Sequence, residues 1–352
     1  MFLVVLFFIS FYFALIEKYK TSLIAMFPAF LLYFLVAGLQ YGVGTDYFSY
    51  SDIFEDISRH QFYINRSEFL FAYLNTFLNW LELPTQSIFL AISFIQSVLI
   101  FIYFKSIKKK GFIIALFFIA FICVTNIYNN QLNGLRQYVV IAALPLLSIF
   151  LYEKRFILAI ILLGLVSFFH NTAWFLLILL PIYFLYKKFN RSLAYLFLLS
   201  SVCYLLLGTV VNELVISFLP NYAHYLQGDY AESHSLRLFV TKLYYLPLIF
   251  YFYLIYKKSS SEFGEYFHFM IFAFTLTFWF FLLALSLGIA TRFYYYVVFF
   301  MVFPMYYLLH YNYVKGKIVS FVIVLGYIVL PYIAKVTFLA KNEFLYKSIL
   351  WS

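Results

Sequence analysis

The polar residues able to do chemistry in this chain sit at the edges of long apolar runs, and the densest group is Asn126–Gln137. This stretch sets amide side chains and one arginine between two hydrophobic segments. Arg136 falls in the first turn of the apolar helix that continues through Tyr138–Tyr152. A cation there opposes the helix dipole, whose positive end is the N-terminus. Its placement predicts an anion nearby, and a guanidinium beside free backbone N–H groups suits a phosphate. Arg292 repeats the pattern: each arginine follows a glycine, Gly134 or Gly288, and opens an inward-running helix. Two such sites on one side of a membrane would suit a diphosphate. Arg237 is placed similarly, just before Phe239, but lacks the glycine turn. The plainer role, snorkelling to outer headgroups, is the expectation for Arg59, Arg66 and Lys335.

Two residues could accept a proton. In Tyr41–Tyr47, Gly42 and Gly44 permit a tight turn that aims Asp46 back over the helices. An aspartate beside a membrane cavity can activate a sugar hydroxyl as a general base. The alternative is a plain helix cap followed by an Asx turn. His170 stands at a break in a long apolar stretch, and membranes tolerate such breaks mainly where they line a cavity. It can act as a base or donate to a phosphate or sugar, the alternative being a satisfied structural histidine. Cys123 and Cys203 fall inside apolar helices and read as packing residues. His224, Asp229 and His234 share one loop at a spacing that fits no familiar metal site. Walker, dinucleotide, Gly-x-Ser-x-Gly and zinc motifs do not occur, so neither a metal nor a cofactor is expected.

What must position these residues is a membrane bundle. Of the 352 residues, 66% are hydrophobic and 11% charged, against roughly 25% charged in a soluble domain. Apolar runs of spanning length recur from end to end, which predicts an all-α polytopic integral membrane protein, a single transmembrane domain over 1–352. The net charge of +10 forms no nucleic-acid stripe. Most of the basic residues lie in six clusters between apolar runs: Lys18/Lys20, Lys105/Lys108/Lys109/Lys110, Lys154/Arg155, Lys187/Lys188/Arg191, Lys257/Lys258 and Lys315/Lys317. The positive-inside rule puts all six in the cytoplasm.

Counting crossings between these clusters gives about 12 transmembrane helices, within 10–13, with both termini external. The external loops are then 40–66 and 212–238. A full crossing by Ser67–Leu81 would put Lys108–Lys110 outside, so 67–82 is expected as a re-entrant or interfacial helix on the outer side. Phe156–Tyr186 as one straight helix would run about 46 Å at 1.5 Å per residue, too long for a ~30 Å hydrocarbon core. A hairpin of two short helices is expected there, turning at His170-Asn171-Thr172. The first run, Phe2–Ile16, lacks the basic start and cleavage site of a removed signal peptide and reads as a retained helix.

Four motifs stand in order along the chain: Gly42-x-Gly44-Thr45-Asp46-Tyr47-x-x-Tyr50, Asn133-Gly134-Leu135-Arg136-Gln137, Phe169-His170-Asn171-Thr172-Ala173 and Thr291-Arg292-Phe293-Tyr294. Together they resemble the EpsG branch of the Wzy-type polysaccharide polymerases, which include O-antigen and capsule polymerases. The likeness spans residues 20–310 and does not draw on the C-terminal tail. It implies metal-independent glycosyltransfer at the outer, periplasmic face of the bacterial inner (plasma) membrane. The donor is a growing glycan on undecaprenyl pyrophosphate and the acceptor one lipid-linked repeat unit. By this resemblance Arg136 and Arg292 hold the donor pyrophosphate with Arg237 as helper. His170 and Asp46 activate the acceptor hydroxyl, and Gly44, Tyr47, Asn133 and Gln137 support them. The implied partners are the lipid-linked glycans, membrane lipids, a chain-length regulator and a flippase, with no nucleic acid. One departure is the short loop 212–238 where many relatives have a large periplasmic loop, so 40–82 is expected to share acceptor recognition. The alternative function is a lipid-linked oligosaccharide flippase or transporter. A flippase should present charged grips at both faces or in a central cavity, and here the mid-membrane segments hold almost no ionisable groups.

Overall fold

The computed structural model describes residues 1–17, 22–189, 243–259, 263–286, 290–338 and 345–351. Their helices form two compact units, Met1–Ile178 with Leu325–Ser352, and Leu179–Val324. The first unit contains α1 (Phe2–Ile16), α2 (Leu23–Gly38), α3 (Tyr47–Glu55), α4 (Ser58–Asn65), α5 (Phe69–Trp80), α6 (Gln86–Lys109), α7 (Ile114–Thr125), α8 (Ile127–Asn133), α9 (Leu135–Tyr152) and α10 (Phe156–Ser167), followed by a 3₁₀ segment, Asn171–Ile178. Helices α2 and α9 pack on α6, α1 packs on α2 and α7, and α10 packs on α9. α9 is apolar almost all round and 78% buried, as a central helix must be.

The ends of these helices sort by chemistry. At one end Lys108 Nζ donates to the carbonyls of Ile16 at 3.1 Å and Glu17 at 3.4 Å, capping the end of α1. Lys110 Nζ meets Glu153 at 2.7 Å just past α9, and Arg155 Nε meets it at 3.1 Å. At the other end Gln86, the first residue of α6, donates to the carbonyls of Gly38 (2.6 Å) and Gln40 (3.0 Å). The C-terminal segment docks there too: Tyr41 N–H donates to the Lys347 carbonyl at 3.0 Å, and Ile349 N–H to Leu39 at 3.1 Å. Within this unit the helix ends alternate as the lysine clusters predict.

The stretch 40–66, expected as an external loop, is mostly helical. α3 and α4 bury Tyr50, Ile53, Phe54 and Tyr63 against α5, which offers Phe71, Ala72 and Leu78. These apolar positions recur at helical spacing, so coil would leave them uncovered. α5 has 12 residues, about 18 Å at 1.5 Å per residue, and exposes Tyr73, Phe77 and Trp80 on its other side. It lies against the bundle without the length to cross.

The second unit contains α11 (Leu179–Phe189), α12 (Leu246–Ser259), α13 (Glu265–Ser286), α14 (Ala290–Val297), a 3₁₀ turn Val298–Met301 and α15 (Val302–Val314). α13 packs against α11, α14 and α15, and α12 against α15. Tyr186 Oη donates to Glu265 Oε2 at 2.7 Å. α16 (Ile318–Thr337) starts in the second unit, and its later half belongs to the first, where Tyr332 Oη donates to Asn129 Oδ1 at 2.7 Å.

Among the described residues five helices are long and apolar enough to cross a membrane, or six if α7 and α8, bent by 49°, make one span. Four more apolar helices are shorter: Phe2–Ile16, Ile24–Gly38, Phe156–Ser167 and Leu246–Lys257. The chain is a multi-pass membrane protein by helix length and hydropathy. The expectation of about 12 crossings is met only in part, because several expected spans are short helices. The expected crossing Ser192–Val211 and the loop 212–238 lie outside the described residues, as do Arg237, Cys203, Gly288 and the His224, Asp229, His234 group.

Candidate functional site

Two breaks in the backbone build the site. Asn126 adopts a left-handed φ of 53° and ends α7. Gly134 then separates α8 from α9. Gln96, ten residues into α6, donates to the Leu135 carbonyl at 2.9 Å. The α8–α9 junction is therefore recessed about 15 Å along α6 from its start. Gly134 itself has φ −90°, open to any residue. A side chain there would meet Tyr138 Cδ2 at 3.1 Å, so this glycine allows close packing, not a special turn.

Asn133 and Arg136 take hold of different partners from this junction. Asn133 Oδ1 accepts the Asp46 N–H at 2.9 Å and the Thr45 hydroxyl at 3.2 Å. Gly42 and Gly44 give the loop its path, both at positive φ, and a Cβ on Gly44 would lie 2.4 Å from Asn133 Oδ1. Two independent reasons therefore require glycine at 44, the +86° φ and the close approach. Gly44→Ala is expected to lower stability by about 1–3 kcal/mol and release the clamp on Asp46, read by thermal unfolding of the purified protein. Asp46 is half-buried, and its Oδ1 shares the single Thr45 hydroxyl proton with Asn133 Oδ1, each at 3.2 Å. Tyr47 stacks on Phe89 at 4.3 Å and donates to Gln86 Oε1 at 3.2 Å, pinning the start of α3.

Arg136 meets its anion inside the chain. Its Nη1 is ion-paired to Glu68, a residue with no exposed side-chain surface. The guanidinium lies 4.5 Å from the Tyr63 ring centroid, 5.0 Å from Phe71 and 5.9 Å from Tyr50. These three rings form an aromatic cage around the guanidinium. Gln137 is half-buried in the same turn.

The same carboxylate reaches His170. Glu68 Oε1 lies 2.7 Å from His170 Nδ1 and accepts the Asn171 N–H at 3.3 Å. Ser67, at φ 60°, turns the chain sharply before Glu68 and swings that side chain inward. The end of α10 is tied to the start of α5: the N–H groups of Leu70 and Phe71 donate to the Phe168 carbonyl at 3.0 and 3.3 Å. Asn171 Nδ2 donates to the Arg66 carbonyl. The break expected at His170-Asn171-Thr172 is present, and these bonds occupy its Phe168 carbonyl and Asn171 N–H.

Charge states follow from the partners. Burial pushes the Glu68 carboxyl up, but the His170 hydrogen bond, the Arg136 charge and the Asn171 N–H hold it below its ordinary value. Burial pushes the His170 imidazole down, and Arg136 and Arg66 add to this against the opposing pull of Glu68. At neutral pH Glu68 is an anion and His170 is neutral. A carboxylate only accepts, so Nδ1 carries the proton and donates. Nε2 carries no hydrogen bond among the described residues and presents a lone pair.

Arg136 and His170 stand apart in the sequence as separate candidates, and the structure brings them together through Glu68, which no motif marks. The available signal was a rule, not a motif: an ionisable group in apolar surroundings pairs with another. Arg292 is exposed in the first turn of α14 in the second unit. No curated protein and no solved structure matches this chain. The sequence pattern of the EpsG family, however, matches residues 23–348, taking in both breaks, the glycine loop, Glu68 and His170, and the chain belongs to that family of membrane proteins associated with exopolysaccharide biosynthesis.

Proposed function

We propose that this chain is a polysaccharide polymerase, joining undecaprenyl-pyrophosphate-linked repeat units into O-antigen, capsule or exopolysaccharide at the outer face of the bacterial plasma membrane. The observation that carries the reading is the gathering of Asp46, Asn133, Arg136 and His170 around one recessed helix junction, away from the lysine-rich helix ends. Polar groups grouped at one face favour chemistry there over carriage from one side to the other.

In the reaction the acceptor hydroxyl oxygen attacks the anomeric carbon of the donor glycan. The bond from that carbon to the pyrophosphate oxygen breaks, and its electron pair leaves with the lipid pyrophosphate. The hydroxyl proton passes to a base, for which His170 and Asp46 are the candidates. Arg136 is ion-paired to Glu68, and under this reading Arg292 and Arg237 carry the leaving group's charge. Lipid-linked glycans and membrane lipids are the partners under this reading, with a flippase supplying substrate and a chain-length regulator acting on the product.

The test is reconstitution of the full chain in liposomes with lipid-pyrophosphate-linked repeat units. The expected result is a ladder of elongated glycans, reduced about 10²-fold by Arg292→Ala, whose exposed position lets the variant fold. A normal ladder in that variant removes Arg292 from the site. Movement of repeat units across the bilayer without elongation identifies the flippase instead.

A further inference from the structure

We propose that Glu68 is the positioning residue for His170, holding the imidazole with its Nε2 lone pair directed to the acceptor hydroxyl, and that Arg136 serves the site chiefly by holding Glu68. The inference rests on the polymerase reading, and it selects His170 over Asp46 as the base. Three observations carry it.

First, Glu68 is wholly buried, yet each of its oxygens is engaged, Oε2 by Arg136 and Oε1 by His170. A carboxylate taken fully out of water is retained only where it is paired and hydrogen-bonded. Second, the rest of the cluster builds the carboxylate's setting. Tyr63 and Phe71 flank the Arg136 guanidinium, Ser67 adopts a left-handed backbone that turns Glu68 inward, and Asn171 donates its N–H to the same oxygen as His170. Third, the alternative base is organised differently. What Asn133 holds in the glycine loop is the backbone N–H of Asp46, so the clamp shapes the loop and leaves the carboxylate to Thr45.

The carboxylate then does two things. It fixes the tautomer, because only Nδ1–H can donate to it, and it stabilises the imidazolium that forms when Nε2 takes the proton. Among the described residues the charged and titratable groups facing His170 are Glu68, Arg136 and Arg66, with Tyr50 and Tyr63 beyond Arg136. Of the charged ones, Glu68 alone favours the protonated ring.

The experiment uses the full chain in nanodiscs, comparing wild type with E68Q and E68D. Diethyl pyrocarbonate modifies neutral imidazole, so the pH midpoint of His170 modification, followed by peptide mass spectrometry, reports the ring without reference to turnover. Elongation of a lipid-pyrophosphate-linked repeat unit is measured in parallel. In E68Q the midpoint is expected to move to lower pH by on the order of 1 unit. The kcat for elongation is expected to fall on the order of 10²-fold with KM for the acceptor unchanged. E68D keeps the charge but draws it back, so it shifts the midpoint the same way with a smaller loss of rate. It also reads the hydrogen bond should E68Q fail to insert. An unmoved midpoint in whichever variants insert overturns the inference whatever elongation does, and so does a moved midpoint with wild-type kcat. A moved midpoint in a protein whose wild type elongates nothing overturns the polymerase reading and leaves the hold of Glu68 on His170 standing.

Discussion

Glu68→Ala is expected to lower the stability of the first unit by about 3–5 kcal/mol, seen as an early thermal transition of the detergent-solubilised protein. The reason is what it leaves behind. Arg136 is mostly buried under Tyr63 and Phe71, and without Glu68 its charge has no carboxylate partner among the described residues. Arg136→Ala is expected to cost a similar amount by stranding the buried carboxylate. Replacing both, as in Glu68→Leu with Arg136→Met, removes the charges together and is expected to recover most of the stability, because a buried pair is worth little against apolar residues of like volume. Glycan elongation should stay lost in the double variant. A double variant as unstable as either single one would show that the pair is not the source of the effect.

The same cluster sets the pH dependence. The folded Glu68 sits below its ordinary value, so its contribution is present above the unfolded carboxylate range and is lost as pH falls through the folded value. His170 is also lowered, so the unfolded chain binds its proton first as pH falls. Both act in one direction. Stability should decline on acidification, and Glu68→Leu with Arg136→Met should flatten the decline.

His170→Ala is expected to reduce glycan elongation by at least about 10²-fold at every pH while the protein still inserts. The side chain is partly exposed and Glu68 retains Arg136, so the fold keeps its charged pair. Asp46→Asn keeps the backbone N–H that Asn133 holds and is expected to lose less. The comparison is made by counting lipid-linked repeats per chain on a gel of the reaction products. The opposite ranking would move the base to Asp46.

Much of the architecture was legible in the chain. The lysine clusters predicted which helix ends share a side, and Lys108 on the end of α1 and Lys110 on Glu153 bear this out within the first unit. The break at His170 followed from the length of the run around it, which no single straight helix can match to a bilayer. Gly42 and Gly44 announced a turn, and both are at positive φ. Other features were not legible. α3 and α4 fill a stretch that reads as loop, because their apolar positions are too few to stand out until α5 is there to cover them. The likeness through the four motifs stopped at residue 310, while the family match runs to 348. The docking of Lys347 and Ile349 on Leu39 and Tyr41 gives that last segment a structural role that no motif announces.

That an arginine opening α9 against the helix dipole needs an anion can be read from the chain alone, since it follows from local backbone geometry. Which anion answers it was decided only by tertiary structure. Glu68 is far from Arg136 and His170 along the chain, and nothing in the local pattern of 67–82 marks it. Packing of α5 against the end of α10 and the start of α9 excludes water and leaves three ionisable groups to satisfy one another. Desolvation makes that pairing obligatory, and desolvation belongs to the fold, not to any residue in it.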